Sequence, residues 1–224
     1  MNLFGVLSEV YPTLLTGLTM TVKITILSLI IALVIGIFVC LMNISSNIVL
    51  RGIAKFYIWL IRGTPMLVQA FYFYFALPQL IQAVTGSQFR ITVFTASLVT
   101  LALNAGAYIS EIFRGSIESV NKGQMEAARS LGLTYCRSMY RVVLPQAIKN
   151  MIPSIVNQFI ITLKDTSILS VIGFPELVNK AQNVIAITFK SFQVWAIVAV
   201  MYLVVITLLS ILAKSLERRL NRGR

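Results

Sequence analysis

Long apolar runs separated by short polar segments dominate the pattern of this chain. Each run is long enough for a helix that crosses a bilayer, which needs about 20 consecutive apolar residues. The runs predict five spans, at residues 12–43, 52–84, 91–113, 148–172 and 192–213. The first two exceed the required length, so we expect them to tilt, break or project from the bilayer. The pattern predicts an all-α membrane protein with a single transmembrane domain over residues 1–224.

The composition strengthens this interpretation. Hydrophobic residues make up 58% of the chain and charged residues only 12%, whereas charged residues make up about 25% of a soluble domain. The first eleven residues contain Glu9 but no Lys or Arg. A cleavable signal needs a positively charged start, so we expect residues 1–43 to be a retained first span.

The positions of Lys and Arg predict the orientation of the chain. If the amino terminus lies outside, the outer segments hold only Arg90, Lys180 and Lys190. Thirteen basic residues then face inward: Arg51, Lys55, Arg114, Lys122, Arg129, Arg137, Arg141, Lys149, Lys214, Arg218, Arg219, Arg222 and Arg224. Basic residues accumulate on the cytoplasmic side of membrane proteins. We therefore expect the amino terminus outside and the carboxyl terminus in the cytoplasm.

The longest polar segment, residues 114–145, has the pattern of two short helices. We expect the first at 124–131, with Gly132 just past its end, where a left-handed backbone favours glycine. We expect the second at 135–142, with Pro145 opening the next span, because proline suits the first turn of a helix. The segment fits either an amphipathic element on anionic lipid or a docking element for a cytoplasmic protein.

The chain lacks the residue patterns that metal binding, redox chemistry and ATP binding require. There is no histidine, and Cys40 and Cys136 do not have the spacing of a metal or redox site. The sequence contains no G-x-x-x-x-G-K-[ST] phosphate loop. We therefore expect no metal, no cofactor bound by this chain and no enzymatic activity. The net charge of +12 orients the protein, and we expect no nucleic-acid binding.

The polar segment also carries a specifically spaced motif. Glu126-Ala127-Ala128 is followed after three residues by Gly132 and, after nine more, by Val142-Val143-Leu144-Pro145. This resembles the EAA loop of bacterial ABC importer permeases, with Val142 in place of isoleucine. The resemblance implies the type I ABC importer permease fold, with two short cytoplasmic coupling helices. It also implies that a separate ATPase is contacted by Glu126, Ala127, Ala128, Gly132, Leu144 and Pro145.

Three further segments are similar to the polar amino-acid branch of that family: Arg62 to Pro65, Asn104 to Glu111 and Leu163 to Ser167. Asn157 to Ile160 and Leu216 to Leu220 look most like glutamine permeases. The resemblance implies a second permease subunit, which we expect to be identical, and two cytoplasmic ATPase subunits that hold ATP and Mg²⁺. It also implies an extracytoplasmic binding protein and a bacterial cell (inner) membrane location.

Charged residues inside spans are costly, so each is a functional candidate. Arg62 precedes Pro65, which weakens the helix and frees backbone groups. Such an interruption suits an α-carboxylate, with Thr64 adding a hydroxyl donor. The alternative is that Arg62 pairs with a neighbouring carboxylate.

Asp165 is a candidate for binding an α-ammonium group, or else a structural link between helices or subunits. Gln158 lies two turns earlier on the same helix face. Its neutral amide suits an uncharged polar side chain, although an interhelical hydrogen bond is an equal alternative. Asn104 is a further pocket candidate, and we expect Glu111 to pair across helices.

The sequence therefore predicts a permease subunit that carries a polar amino acid, with glutamine favoured, and couples its passage to a cytoplasmic ATPase. Cystine, histidine or arginine are alternative substrates. A different class of explanation is an ATP-independent channel or ion-coupled transporter, which would leave the patterned loop without a role.

Overall fold

The computed structural model describes residues 3–221, and the side chains of residues 8–215. Helices account for the regular structure in this range. They are α1 Leu3–Ile44, α2 Ile48–Arg62, α3 Met66–Thr85, α4 Val93–Glu118, α5 Lys122–Ser130, α6 Tyr135–Ile172, α7 Leu177–Thr188 and α8 Ser191–Asn221. Five of these, α1, α3, α4, α6 and α8, are long and apolar enough to cross a membrane. The all-α membrane fold with five spans is therefore confirmed.

The centre of the bundle is the contact between α1 and α4, where small residues let the two backbones approach. A Cβ atom added to Gly36 would lie 2.5 Å from a methyl group of Ile109, and one added to Gly106 would lie 2.8 Å from Ile35. Membrane helices pack through such small residues because lipid supplies no hydrophobic drive for their association. This close packing fixes the position of α4, whose residues Asn104 and Tyr108 line the candidate site.

The predicted span at residues 52–84 differs from the structure in its extent. Its first part belongs to α2, a separate helix that ends at Arg62, and the helix long enough to cross is α3. The chain breaks between them at Gly63 to Pro65, as expected, because Pro65 has no N–H to donate to the carbonyl four residues earlier. The break places Arg62 at a helix end.

The second short helix of the polar loop starts at Tyr135 but does not end at residue 142. It passes through a π-helical turn, Met139–Val143, into the long helix α6, and the Leu144 N–H bonds the Met139 carbonyl five residues earlier. A comparable turn, Tyr72–Ala76, precedes Pro78 in α3. Pro145 lies in the first turn of the α-helical segment Leu144–Asp165, as expected, but that segment continues directly from the π-helical turn instead of following a loop.

A buried carboxylate joins the last two helices, α7 and α8. Glu176 is fully buried, and its side chain accepts hydrogen bonds from the backbone N–H groups of Val178 and Asn179 at the start of α7. It also accepts one from the Tyr202 hydroxyl of α8 at 3.3 Å. Burial raises the pKa of the Glu176 carboxyl, while the backbone donors act in the opposite direction. The residue is a helix cap and has no connection to the site described below.

Candidate substrate cavity and coupling surface

A cavity of about 600 Å³ lies beside the break between α2 and α3, and α4 and α6 form its other walls. The structure brings all five predicted substrate residues together here: Arg62, Thr64, Asn104, Gln158 and Asp165. They come from three separate stretches of the chain: the break, α4 and α6. We call this space the substrate cavity, and the individual roles of its residues remain predictions.

Arg62 pairs with a neighbouring carboxylate, one of the two alternatives, and it also lines the cavity, while its contact with a substrate stays a prediction. Its Nη1 lies 3.6 Å from Glu111 Oε2, and 42% of its side chain stays exposed. The guanidinium also lies over the Tyr108 ring, 5.1 Å from the ring centroid. A cation over an aromatic face is attracted by the ring quadrupole. Arg62 is thus oriented by two α4 residues while still lining the cavity.

Glu111 pairs across helices, as predicted. It accepts hydrogen bonds from Arg114 Nε at 3.1 Å and Nη2 at 2.8 Å, in addition to its contact with Arg62. Arg114 in turn donates to Glu118 Oε2 at 2.6 Å. Glu111 and Arg114 also line a second cavity, of about 640 Å³, together with Arg51 and Lys55. The Glu111 charge is therefore shared between two arginines.

The α6 wall of the substrate cavity supplies a carboxylate and an amide. Asp165 is partly buried at the point where the α-helical part of α6 ends, and it forms no ion pair with a side chain that the structure describes. Gln158 is 5% exposed, and its one internal hydrogen bond, to Thr162 Oγ1, is long at 3.4 Å. Both groups retain hydrogen-bonding capacity for a ligand.

The Thr64 hydroxyl forms two hydrogen bonds within the broken helix. It donates to the Leu60 carbonyl at 2.9 Å and accepts from Gln69 Nε2 at 3.0 Å. A hydroxyl has a single proton, so this proton is used within the broken helix and is not offered to a carboxylate. Thr64 lines the cavity as part of the break.

Gln69 is the residue at this site that the sequence interpretation missed. It is 5% exposed and hydrogen-bonds both to the helix break and to Asn104. The signal was an amide four residues after Pro65, in the largely apolar first half of α3. Such a side chain is well placed to satisfy carbonyls that a proline leaves unpaired.

The motif of the polar loop lies on α5 and the start of α6. Glu126 and Ala127 are exposed, whereas Ala128 is 5% exposed, and Met125 on the same helix packs against the core cluster that contains Val143. Of the two alanines, only Ala127 is available for the close approach of a partner. Ala128 is instead buried, on the helix that Met125 packs against the core.

Gly132 has the left-handed backbone that its position predicts, with φ of +84°. Its N–H bonds the Arg129 carbonyl at 3.0 Å, and the next N–H, of Leu133, bonds the Ala128 carbonyl at 3.2 Å. This pair of bonds closes the end of α5 and turns the chain toward α6. In α6, Leu144 is partly buried and Pro145 is exposed.

Apolar side chains flank the motif on the outside of the loop. Leu131 is 84% exposed, Tyr140 73% and Tyr135 56%. We call the group of Glu126, Ala127, Leu131, Tyr135 and Tyr140 the coupling surface. Exposed apolar residues that cluster within a polar loop are typical of a protein interface.

Comparisons with known proteins agree with this architecture. The family model for the binding-protein-dependent transport system inner membrane component matches residues 32–222. The glutamine transport system permease protein GlnP of Escherichia coli is 41% identical over 94% of each chain. The arginine transport system permease protein ArtQ of Bacillus subtilis is 40% identical over 94% of this chain and 93% of its own.

Solved structures show the same fold. A crystal structure of an amino acid ABC transporter with histidines superposes with a TM-score of 0.90 at 39% identity, covering 98% of this chain and 99% of that one. An inward-facing MetNI methionine ABC transporter gives 0.72 at 18% identity, over 92% and 95% of the two chains, which supports the fold alone. The chain has the type I importer permease fold and belongs to the family of inner membrane components of binding-protein-dependent transport systems.

Proposed function

We propose that this chain forms the translocation pathway for a polar amino acid in an ATP-driven importer, with glutamine as the favoured substrate. One observation carries the proposal: a single cavity collects the Arg62 guanidinium, the Asp165 carboxylate and the amides of Asn104 and Gln158. An amino acid zwitterion needs a cationic partner for its α-carboxylate and an acceptor for its α-ammonium group. Hydrogen bonds that involve charged groups are roughly twice as strong as neutral ones.

The charges of the cavity favour a neutral amino-acid side chain. Arg62 and Asp165 would be matched by the two backbone charges of the substrate, and the remaining polar wall, at Gln158, is uncharged. A cationic side chain would need a second free carboxylate, but Glu111 is already held by Arg62 and Arg114. The similarity to both glutamine and arginine permeases supports an amino-acid substrate, and this charge balance favours glutamine over arginine.

Coupling to ATP hydrolysis is proposed to occur through the coupling surface. Two ATPase subunits, which hold ATP and Mg²⁺, bind this surface on two identical permease chains, and an extracytoplasmic binding protein delivers the substrate. Since α5 packs against the core cluster through Met125, movement of the ATPase dimer would shift α6 and α4 as rigid bodies. Different contacts in the two states would then bias the cavity toward one side of the membrane.

Reconstitution into proteoliposomes tests this function. The permease is combined with its ATPase and binding protein, and uptake of labelled L-glutamine is measured with and without ATP. We expect uptake only with the complete system, with little competition from a tenfold excess of L-arginine. Strong competition by L-arginine would indicate that arginine, and not glutamine, is the favoured substrate. Flux through the permease alone would support a channel and contradict the proposal.

The two cysteines allow the orientation to be tested separately. Cys136 is exposed on the proposed cytoplasmic loop, and Cys40 is buried. A membrane-impermeant maleimide added to intact spheroplasts should leave Cys136 unlabelled and should label it once the membrane is opened. An added cysteine at Ser87, which is exposed between α3 and α4, should label from outside. The opposite pattern would invert the proposed orientation.

A further inference from the structure

The Gln69 side chain supplies a hydrogen-bond donor to the break between α2 and α3. Pro65 has no N–H, so the Ile61 carbonyl lacks its usual donor four residues later. Gln69 Nε2 donates to this carbonyl at 2.7 Å and also lies within hydrogen-bonding distance of Thr64 O at 3.1 Å and Thr64 Oγ1 at 3.0 Å. Its side chain is buried, with 5% exposed.

These contacts fix which way the Gln69 amide faces. Backbone carbonyls only accept hydrogen bonds, so the nitrogen of Gln69 has to point toward Ile61 and Thr64. The oxygen Oε1 then faces α4, where Asn104 Nδ2 donates to it at 3.0 Å. The orientation of the Asn104 amide therefore follows from the proline-induced break, through Gln69.

The remaining end of Asn104 faces the substrate cavity. Asn104 lines that cavity, and no donor among the described side chains contacts its Oδ1. Because one N–H of Asn104 Nδ2 is donated to Gln69, the Asn104 amide is held with its acceptor oxygen, Oδ1, available to a ligand. Asn104 by itself could present either group, since an amide can rotate by half a turn.

We propose that Gln69 is a positioning residue that makes Asn104 an acceptor for the α-ammonium group of the substrate. This inference rests on the proposed function, because it presumes that an amino acid occupies the cavity. The α-ammonium group has three N–H donors, and Asp165 and Asn104 together supply acceptors from two helices. The glutamine side-chain amide both donates and accepts, which the Gln158 amide can match by itself.

Comparing the binding of two ligands shows whether Gln69 positions Asn104 or only stabilises the fold. The affinities of L-glutamine and of 4-carbamoylbutanoate, which lacks the α-amino group, are measured by isothermal titration on the purified permease–ATPase complex. We expect the wild-type complex to prefer L-glutamine. In Gln69→Leu this preference should fall about tenfold, with the analogue's own affinity changed less than threefold. Gln69→Met, which has a similar unbranched chain, is the second variant if Gln69→Leu is not recovered.

A second substitution provides a rescue. Asp at position 104 presents an oxygen to the cavity whichever way it turns, so Asn104→Asp combined with Gln69→Leu should restore the preference. Equal losses for both ligands in Gln69→Leu, or no rescue by Asn104→Asp, would overturn the inference while leaving the proposed function intact. A wild-type complex that binds no amino acid, and imports none, would overturn both.

Discussion

The Nη1 atom of Arg62 lies 3.6 Å from Oε2 of Glu111, and the two residues belong to different helices. The same guanidinium lines the substrate cavity. An ion pair between partly exposed groups contributes about 0–1 kcal/mol, so this contact alone is a weak reason for an arginine at a helix break. Binding of a ligand carboxylate by the same guanidinium would be a stronger reason for an arginine at this position.

Arg62 and Glu111 can be separated by comparing two variants. We expect Arg62→Ala to weaken amino-acid binding by about 10- to 100-fold, since hydrogen bonds to charged groups contribute about 1.5–3 kcal/mol. Glu111→Gln should change it less than about fivefold, because it weakens the ion pairs of Glu111 with Arg62 and Arg114 but leaves the Arg62 guanidinium in the cavity. Binding to the purified complex is measured by titration, with Arg90→Ala, an exposed arginine outside the helices, as the control. Equal effects of the two variants would mean that Arg62 serves only its pair with Glu111.

Gln158 should determine whether the cavity prefers a neutral or a cationic substrate side chain. Gln158→Glu places a carboxylate on the cavity wall, so we expect weaker uptake of L-glutamine and competition by L-arginine at least tenfold stronger than in the wild type. Gln79→Glu, an exposed amide on α3, makes the same change away from the cavity and should leave the substrate preference unchanged. If Gln158→Glu retains the wild-type preference in a competition assay, the side chain of the substrate does not reach Gln158.

Ala127 and Ala128 are adjacent on α5 but should respond differently to substitution. Ala127 is exposed, so Ala127→Arg should abolish co-purification of the ATPase and leave the thermal stability of the permease unchanged. Ala128 is buried, and Ala128→Leu should lower the melting temperature, because overpacking costs about 1–3 kcal/mol. Pull-down and thermal unfolding in detergent give the two measurements. ATPase binding that survives Ala127→Arg would place the partner elsewhere.

Gly132 should tolerate only residues that accept a left-handed backbone. Its φ is +84°, a region where β-branched residues are strongly disfavoured and asparagine is tolerated better. We expect Gly132→Val to insert normally but lose most substrate-stimulated ATP hydrolysis, and Gly132→Asn to retain at least half of it. Hydrolysis in proteoliposomes, normalised to the amount of inserted permease, gives the comparison. Full activity of Gly132→Val would show that this turn is not needed for coupling.

Apolar periodicity and motif spacing were sufficient to predict much of this protein. The number of spans follows from run length, because a bilayer sets the length of a helix that crosses it. The left-handed turn at Gly132 and the break before Pro65 follow from local backbone chemistry. The family follows from a motif whose residues lie close together in the chain, from Glu126 to Pro145.

The tertiary structure decided the features that depend on contacts between distant segments. It placed Arg62, Asn104, Gln158 and Asp165 around one cavity. It also showed that π-helical turns carry α3 and α6 past their prolines, which residue type alone does not reveal.

Contacts between helices also assigned roles that position in the sequence could not. Ala128 faces inward because α5 rests on the bundle, and the Thr64 proton is used within the break. Gln69 joins that break to Asn104. Hydrogen bonds between side chains depend on how neighbouring helices are rotated and spaced, and those quantities are fixed only when the whole bundle packs.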